Sequence, residues 1–136
     1  MAGTRHKARI IAFQALYEVD SVGRNAGAVV ARLLSEEELS GENSDFARQL
    51  VAGTLRHKDD IDANIRRFAP AWPVEQIAMV DRNILRLAIF EILFDNEVPV
   101  KVAVSEAVAL AKTFGSESSA KFVNGVLGSV STLASR

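Results

Sequence analysis

Apolar residues recur along this chain at helical spacing, and no segment shows the clean alternation bounded by turns that marks a strand. A first helix is predicted over residues 6–21, with Ala8, Ile11, Ala12, Ala15, Leu16 and Val19 as its buried stripe. Gly23 follows where a C-cap glycine sits. A short second helix is predicted over 26–34 and an acidic, exposed loop over 35–43. Ser44 or Asp45 then N-caps a long third helix that runs to about residue 68, with Phe46, Leu50, Leu55, Ile61 and Ile65 on one face.

Pro70 and Pro73 flank Trp72 and stop that helix, since each proline lacks an N–H and restricts the residue before it. They mark the boundary between two halves. Pro73 starts a short turn to residue 77. The next helix, 79–95, is apolar on most sides and belongs at the centre of a bundle. Pro99 suits the first position of a helix that ends at Gly115. Its inward face carries Ala103, Ala107, Ala111 and Phe114, and Lys101, Ser105, Ala109 and Lys112 lie on another. A last helix is predicted over 118–132. Gly125 and Gly128 share one of its faces and each costs about 1 kcal/mol against alanine. Close approach of another helix is the expected reason. The pattern therefore predicts one all-α domain, 1–136, of about seven helices in two packed subdomains, about 1–70 and 71–136.

Composition narrows the function. With no cysteine among 136 residues, disulfides and thiolate metal sites are excluded, which suits a reducing cytoplasm. The longest apolar run, 84–94, is interrupted by Arg86 and Glu91, so no membrane span is expected. The basic-then-apolar N-terminus superficially resembles a signal peptide, but Gln14 breaks the run and Glu18 and Asp20 follow it. Net charge is −1, yet Arg5, His6, Lys7 and Arg9 precede the first acid, Glu18. Such a local basic arm can bind phosphate in a neutral protein.

Nucleophile constellations and phosphate loops are missing, so no enzyme, cofactor or metal is expected. Asp59, Asp60 and Asp62 are read as a solvated helix face. Ser116, Ser118 and Ser119 are read as capping and turn residues. Two places remain. The arm is either a frayed terminus or a phosphate-binding element. Four phosphate contacts would give a salt slope of roughly −3 on single-stranded RNA. Phe122, beside Lys121 at the start of the last helix, is either core or an exposed base platform, and periodicity leaves both open.

Three strings in the chain carry a resemblance. They are 98–115 (Val-Pro-Val-Lys-Val-Ala-Val-Ser-Glu-Ala through Thr-Phe-Gly) with 119–127 (Ser-Ala-Lys-Phe-Val-Asn-Gly-Val-Leu), 9–17 ending Gln-Ala-Leu-Tyr, and 80–86 (Val-Asp-Arg-Asn-Ile-Leu-Arg). Taken in chain order and spanning nearly the whole chain, they resemble the NusB family of bacterial transcription antitermination factors. The resemblance implies a NusB-like fold of two helical subdomains. It also implies binding to single-stranded boxA RNA in nascent ribosomal RNA, pairing with the small-subunit ribosomal protein NusE, assembly with other Nus factors on RNA polymerase, and suppression of premature Rho-dependent termination.

The resemblance further places RNA binding on Arg5, His6, Lys7, Arg9, Ser118, Lys121 and Phe122, which favours base contact for Phe122. It places partner binding on Glu75 and Asp81, with Tyr17 beside them, against a partner rich in arginine or lysine. Ser118 stands where relatives often have an acid, a change that favours phosphate. Two other readings remain: a helical accessory acting in trans with a ribosomal RNA methyltransferase, and a homodimeric interaction module.

Overall fold

The computed structural model describes the backbone of residues 2–95 and 97–134, with side chains from residue 5 onward. The predicted domain limits, 1 and 136, lie outside the described residues. Seven α-helices occupy those described: α1 (Ala2–Val22), α2 (Ala26–Ser35), α3 (Gly41–Arg56), α4 (Lys58–Phe68), α5 (Met79–Ile89), α6 (Val100–Phe114) and α7 (Ser119–Ser131). A 3-10 turn, Val74–Gln76, precedes α5, and a π-helical turn, Phe90–Asp95, continues it. The all-α class and the helix number agree with the sequence pattern.

The boundaries differ in instructive places. Gly23 ends α1 as expected: its φ of +70° is left-handed, and its N–H donates to the Val19 carbonyl at 2.9 Å. Helix α3 starts earlier than predicted, because Ser40 rather than Ser44 or Asp45 is its N-cap, accepting from the Asn43 N–H at 3.1 Å. Glu42 then sits in the first turn, where a negative charge complements the helix dipole. The long third helix is in fact two, broken at His57 (φ −101°, ψ +13°). No proline or glycine announces that break. The imidazole stacks on Phe94 at 4.4 Å between centroids and reaches Phe90 at 6.0 Å, so the joint packs on the π-turn.

Helix α1 packs on α2, α3 and α5, and α5 packs in turn on α6 and α7; α4 lies against both α5 and α7. One hydrophobic core runs through these layers, and α5 is buried nearly all round. Side chains such as Leu50, Ile61, Leu85 and Leu127 are fully enclosed, each contributing about 1.5–3 kcal/mol by leaving water.

Close helix approach is found at Gly53, where a Cβ would run into the Phe90 ring. At Gly125 and Gly128, where it was expected, a Cβ would meet nothing within 4 Å. Those two glycines face surface grooves instead.

A polar tie fixes α1 and α4 to α5. The Asp20 carboxylate accepts from Arg82 Nε and Asn83 Nδ2, both at 2.8 Å, and from Arg86 Nη1 at 3.2 Å. Arg86 also grips Asp62 with two bonds, at 2.8 and 3.1 Å. Asp62 therefore does not belong to a solvated face as expected; Asp59 and Asp60 do. The Arg82 and Asn83 hydrogen bonds, aided by the charges of Arg82 and Arg86, outweigh burial and hold the Asp20 carboxyl below its ordinary range.

Candidate nucleic-acid interface

The basic arm forms the first turns of α1 and is not a frayed end from residue 5 onward. Helical spacing sends its four residues in different directions. Lys7 points to solvent. The Arg5 guanidinium lies 3.9 Å above the Phe46 ring of α3 and stays half-exposed. His6 Nδ1 lies 2.6 Å from Glu106 Oε2 on α6.

Arg9 corrects the expectation most. It is 3% exposed, and its Nε and Nη2 donate to the two Glu91 oxygens at 2.8 and 2.9 Å. Glu106 Oε1 lies 3.7 Å from Nη1. A guanidinium so enclosed and paired is not presented to a phosphate. Buried Ala12 and Phe13, three and four residues further on along the same face, carry Arg9 into the core with them, and Glu91 within the apolar 79–95 segment was the signal for it.

The second element is the start of α7. Ser118 is the N-cap residue but makes no capping bond, contrary to expectation; its Oγ is exposed, 3.4 Å from that of Ser116. Ser119 is the buried turn residue, accepting from the Ser116 N–H at 2.9 Å. Lys121 is exposed, and Phe122 is half-buried, with one side on the core and the other open. Periodicity offered core or surface; the ring occupies the edge between them. Ser118, Lys121 and Phe122 line one open groove of about 580 Å³, whose other wall is the end of α4 and the proline-flanked linker with Phe68 and Trp72. In the sequence Trp72 belongs only to the boundary between the halves. An indole held between two prolines was the signal for a surface role.

The arm and this groove are joined through α6. Glu106, which holds His6, lies eight residues before Phe114, roughly 12 Å along the helix axis. The turn after Phe114 leads directly to Ser118.

The partner candidates fall elsewhere. Tyr17, 38% exposed, lines a 470 Å³ groove with Phe13, Val22, Val80 and Phe114, between α1 and the start of α5. Glu18 on its edge is held by Arg32 and Arg24. Glu75 is exposed in the 3-10 turn, and its carbonyl accepts from Arg82 at 3.0 Å, which ties that turn to the end of α1. Asp81 is not the surface acid expected: it is 8% exposed, and its Oδ1 is buried with no hydrogen-bond partner.

Among the described residues, no cluster of acids and histidines is arranged to hold a metal ion, and no helix is long and apolar enough to cross a membrane.

Comparison with known proteins gives a consistent result. The NusB family model matches residues 6–132. The transcription antitermination protein NusB of Dehalococcoides mccartyi (strain ATCC BAA-2266 / KCTC 15142 / 195) is 57% identical over 96% of this chain and 92% of its own. That of Chloroflexus aggregans is 46% identical over 97% and 89%. Among solved structures, T. maritima NusB superposes with a TM-score of 0.90 at 31% identity, covering 97% of this chain and 93% of its own. A crystal structure of the antitermination factors NusB and NusE in complex with double-stranded RNA gives 0.89 at 30%, covering 97% and 98%. This chain belongs to the NusB family.

Proposed function

We propose that the protein is an RNA-binding transcription antitermination factor. With NusE it holds a boxA-type single-stranded segment of nascent ribosomal RNA, joins the other Nus factors on RNA polymerase, and suppresses premature Rho-dependent termination in the cytoplasm. It works as an adaptor and performs no chemistry of its own.

The observation that carries this reading is the half-open Phe122 ring beside the exposed Lys121 and Ser118. A ring face accepts a base by stacking, an ammonium neutralises the adjoining phosphate, and the first amides of a 13-residue helix add donors for oxygen anions. Bases in a duplex are already stacked on their neighbours, so a platform of this kind selects unpaired ones. Likeness to a NusB solved with NusE and RNA supports the pairing, although the RNA there is double-stranded.

Lys7 and Arg5 offer further basic groups on α1. The Tyr17 groove, with Glu75 nearby, is the face we assign to NusE: an aromatic floor and an exposed acid suit a partner rich in arginine and lysine. It lies between the first helix of the N-terminal half, about 1–70, and the first helix of the C-terminal half, about 71–136.

The test is the binding of a labelled boxA RNA, single-stranded and as a duplex, to wild type and Phe122→Ala with NusE present, alongside a thermal melt of each protein. The expected result is preference for the single strand and a loss of roughly 1–3 kcal/mol in the variant, with a melt that moves little. An unchanged affinity in Phe122→Ala contradicts the assignment of the platform.

A further inference from the structure

We infer that Trp72 is a second base platform, so that the groove between the α4–α5 linker and α7 takes at least two unstacked nucleobases of the same RNA strand. The inference rests on the RNA-binding reading above and extends it to a part of the chain that neither the arm nor the Lys121–Phe122 element includes.

Five observations carry it. Trp72 is 56% exposed, so more than half of a large indole is left in water. Its backbone is restricted by Pro70 and Pro73, whose fixed φ angles limit the linker, so the place from which the indole projects is set in advance of any ligand.

Trp72, Phe68 and Phe122 line one groove of 580 Å³, within the range of about 300–1,000 Å³ typical of ligand clefts. Three aromatic side chains around a single open groove provide more than one stacking surface. Gly125 also lines it, with nothing within 4 Å of where its Cβ would lie. A side chain there would project into open groove space, and its omission leaves room for a flat ligand.

Charge selects the occupant. Lys121 lines the groove, and the Arg67 guanidinium sits 5.0 Å over the Phe68 ring at its edge. None of the residues lining the groove is acidic. An apolar cleft rimmed by cations suits a polyanion with aromatic bases, and it repels the basic partner assigned to the Tyr17 face.

Trp72 is the chain's single tryptophan, so its emission reports this groove directly. The experiment is a fluorescence titration of the full chain with unlabelled single-stranded boxA RNA, with the emission of added NusE subtracted. Anisotropy of labelled RNA is measured in parallel for wild type, Trp72→Ala and Trp72→Phe. RNA is expected to quench the emission. Trp72→Ala should weaken RNA binding by roughly 5- to 150-fold, Trp72→Phe should restore most of it, and all three proteins should melt alike.

If RNA binds Trp72→Ala with full affinity and leaves wild-type emission unchanged, the second platform is wrong while the RNA reading stands. If Trp72→Ala weakens binding of NusE and not of RNA, the groove belongs to a protein and the inference is overturned. If wild type binds no RNA even with NusE, both readings fall.

Discussion

The Arg9 guanidinium lies bidentate on the Glu91 carboxylate with both side chains buried, joining the start of α1 to the π-turn after α5. A basic residue in a basic arm thus serves the fold. Removing one member of such a pair deprives a buried charge of its partner, which costs about 3–5 kcal/mol. Arg9→Ala is expected to lose that much in urea denaturation, with RNA affinity unchanged when measured on the folded fraction. A variant of normal stability that fails to bind RNA would instead make Arg9 a phosphate contact.

The same geometry lowers the number of phosphate contacts. Four arm residues plus Lys121 are basic in the sequence, but Arg9 is enclosed and His6 faces Glu106. Arg5, Lys7 and Lys121 remain, and Arg67 at the groove's edge adds a fourth cation. Three to four contacts on a single strand predict a slope of log affinity against log salt of roughly −2 to −3. A slope clearly steeper than about −3 would mean that the arm rearranges on binding.

Acid stability follows from Asp20. Its carboxyl is held below the usual range, so the unfolded state binds its proton first as pH falls. The stabilisation from this group is therefore present above the unfolded pKa, near 4, and is lost as pH falls from there through the lower folded value. Thermal melts should show this contribution constant between pH 7 and pH 5 and shrinking below about pH 4. Asp20→Asn should be less stable at pH 7 and lose less on acidification; an equal loss in both proteins would assign the acid sensitivity elsewhere.

Two glycines make opposite predictions. Gly53→Ala forces the Phe90 ring aside and is expected to destabilise by about 1–3 kcal/mol, as overpacking does. Gly128→Ala enters open space in a helix and should stabilise by up to about 1 kcal/mol. Chemical denaturation of the two variants checks both signs.

Helix class and order were legible because the apolar stripes of α1, α5 and α6 are long and periodic, and Gly23 and Pro70 punctuate them. The break at His57 was not, because Leu50, Ile61 and Ile65 keep phase across it and the ring that His57 stacks on there, Phe94, is distant in sequence. Helix period likewise identified Lys121 and Phe122 as neighbours, but only the fold brings Phe68 and Trp72 to face them. The enclosure of Arg9 and Asp81 was not legible, because a charged residue gives no sign of burial until the helices on which these two lie are seen to turn both inward.

The central claim is that RNA and NusE meet on this one chain. The affinity for boxA RNA, measured with and without saturating NusE, and the affinity for NusE, measured with and without RNA, test it most directly. An adaptor predicts that each ligand raises the affinity for the other by the same factor. Failure of the wild-type chain to bind RNA under either condition would contradict the account and leave a NusB-family fold without the role proposed for it.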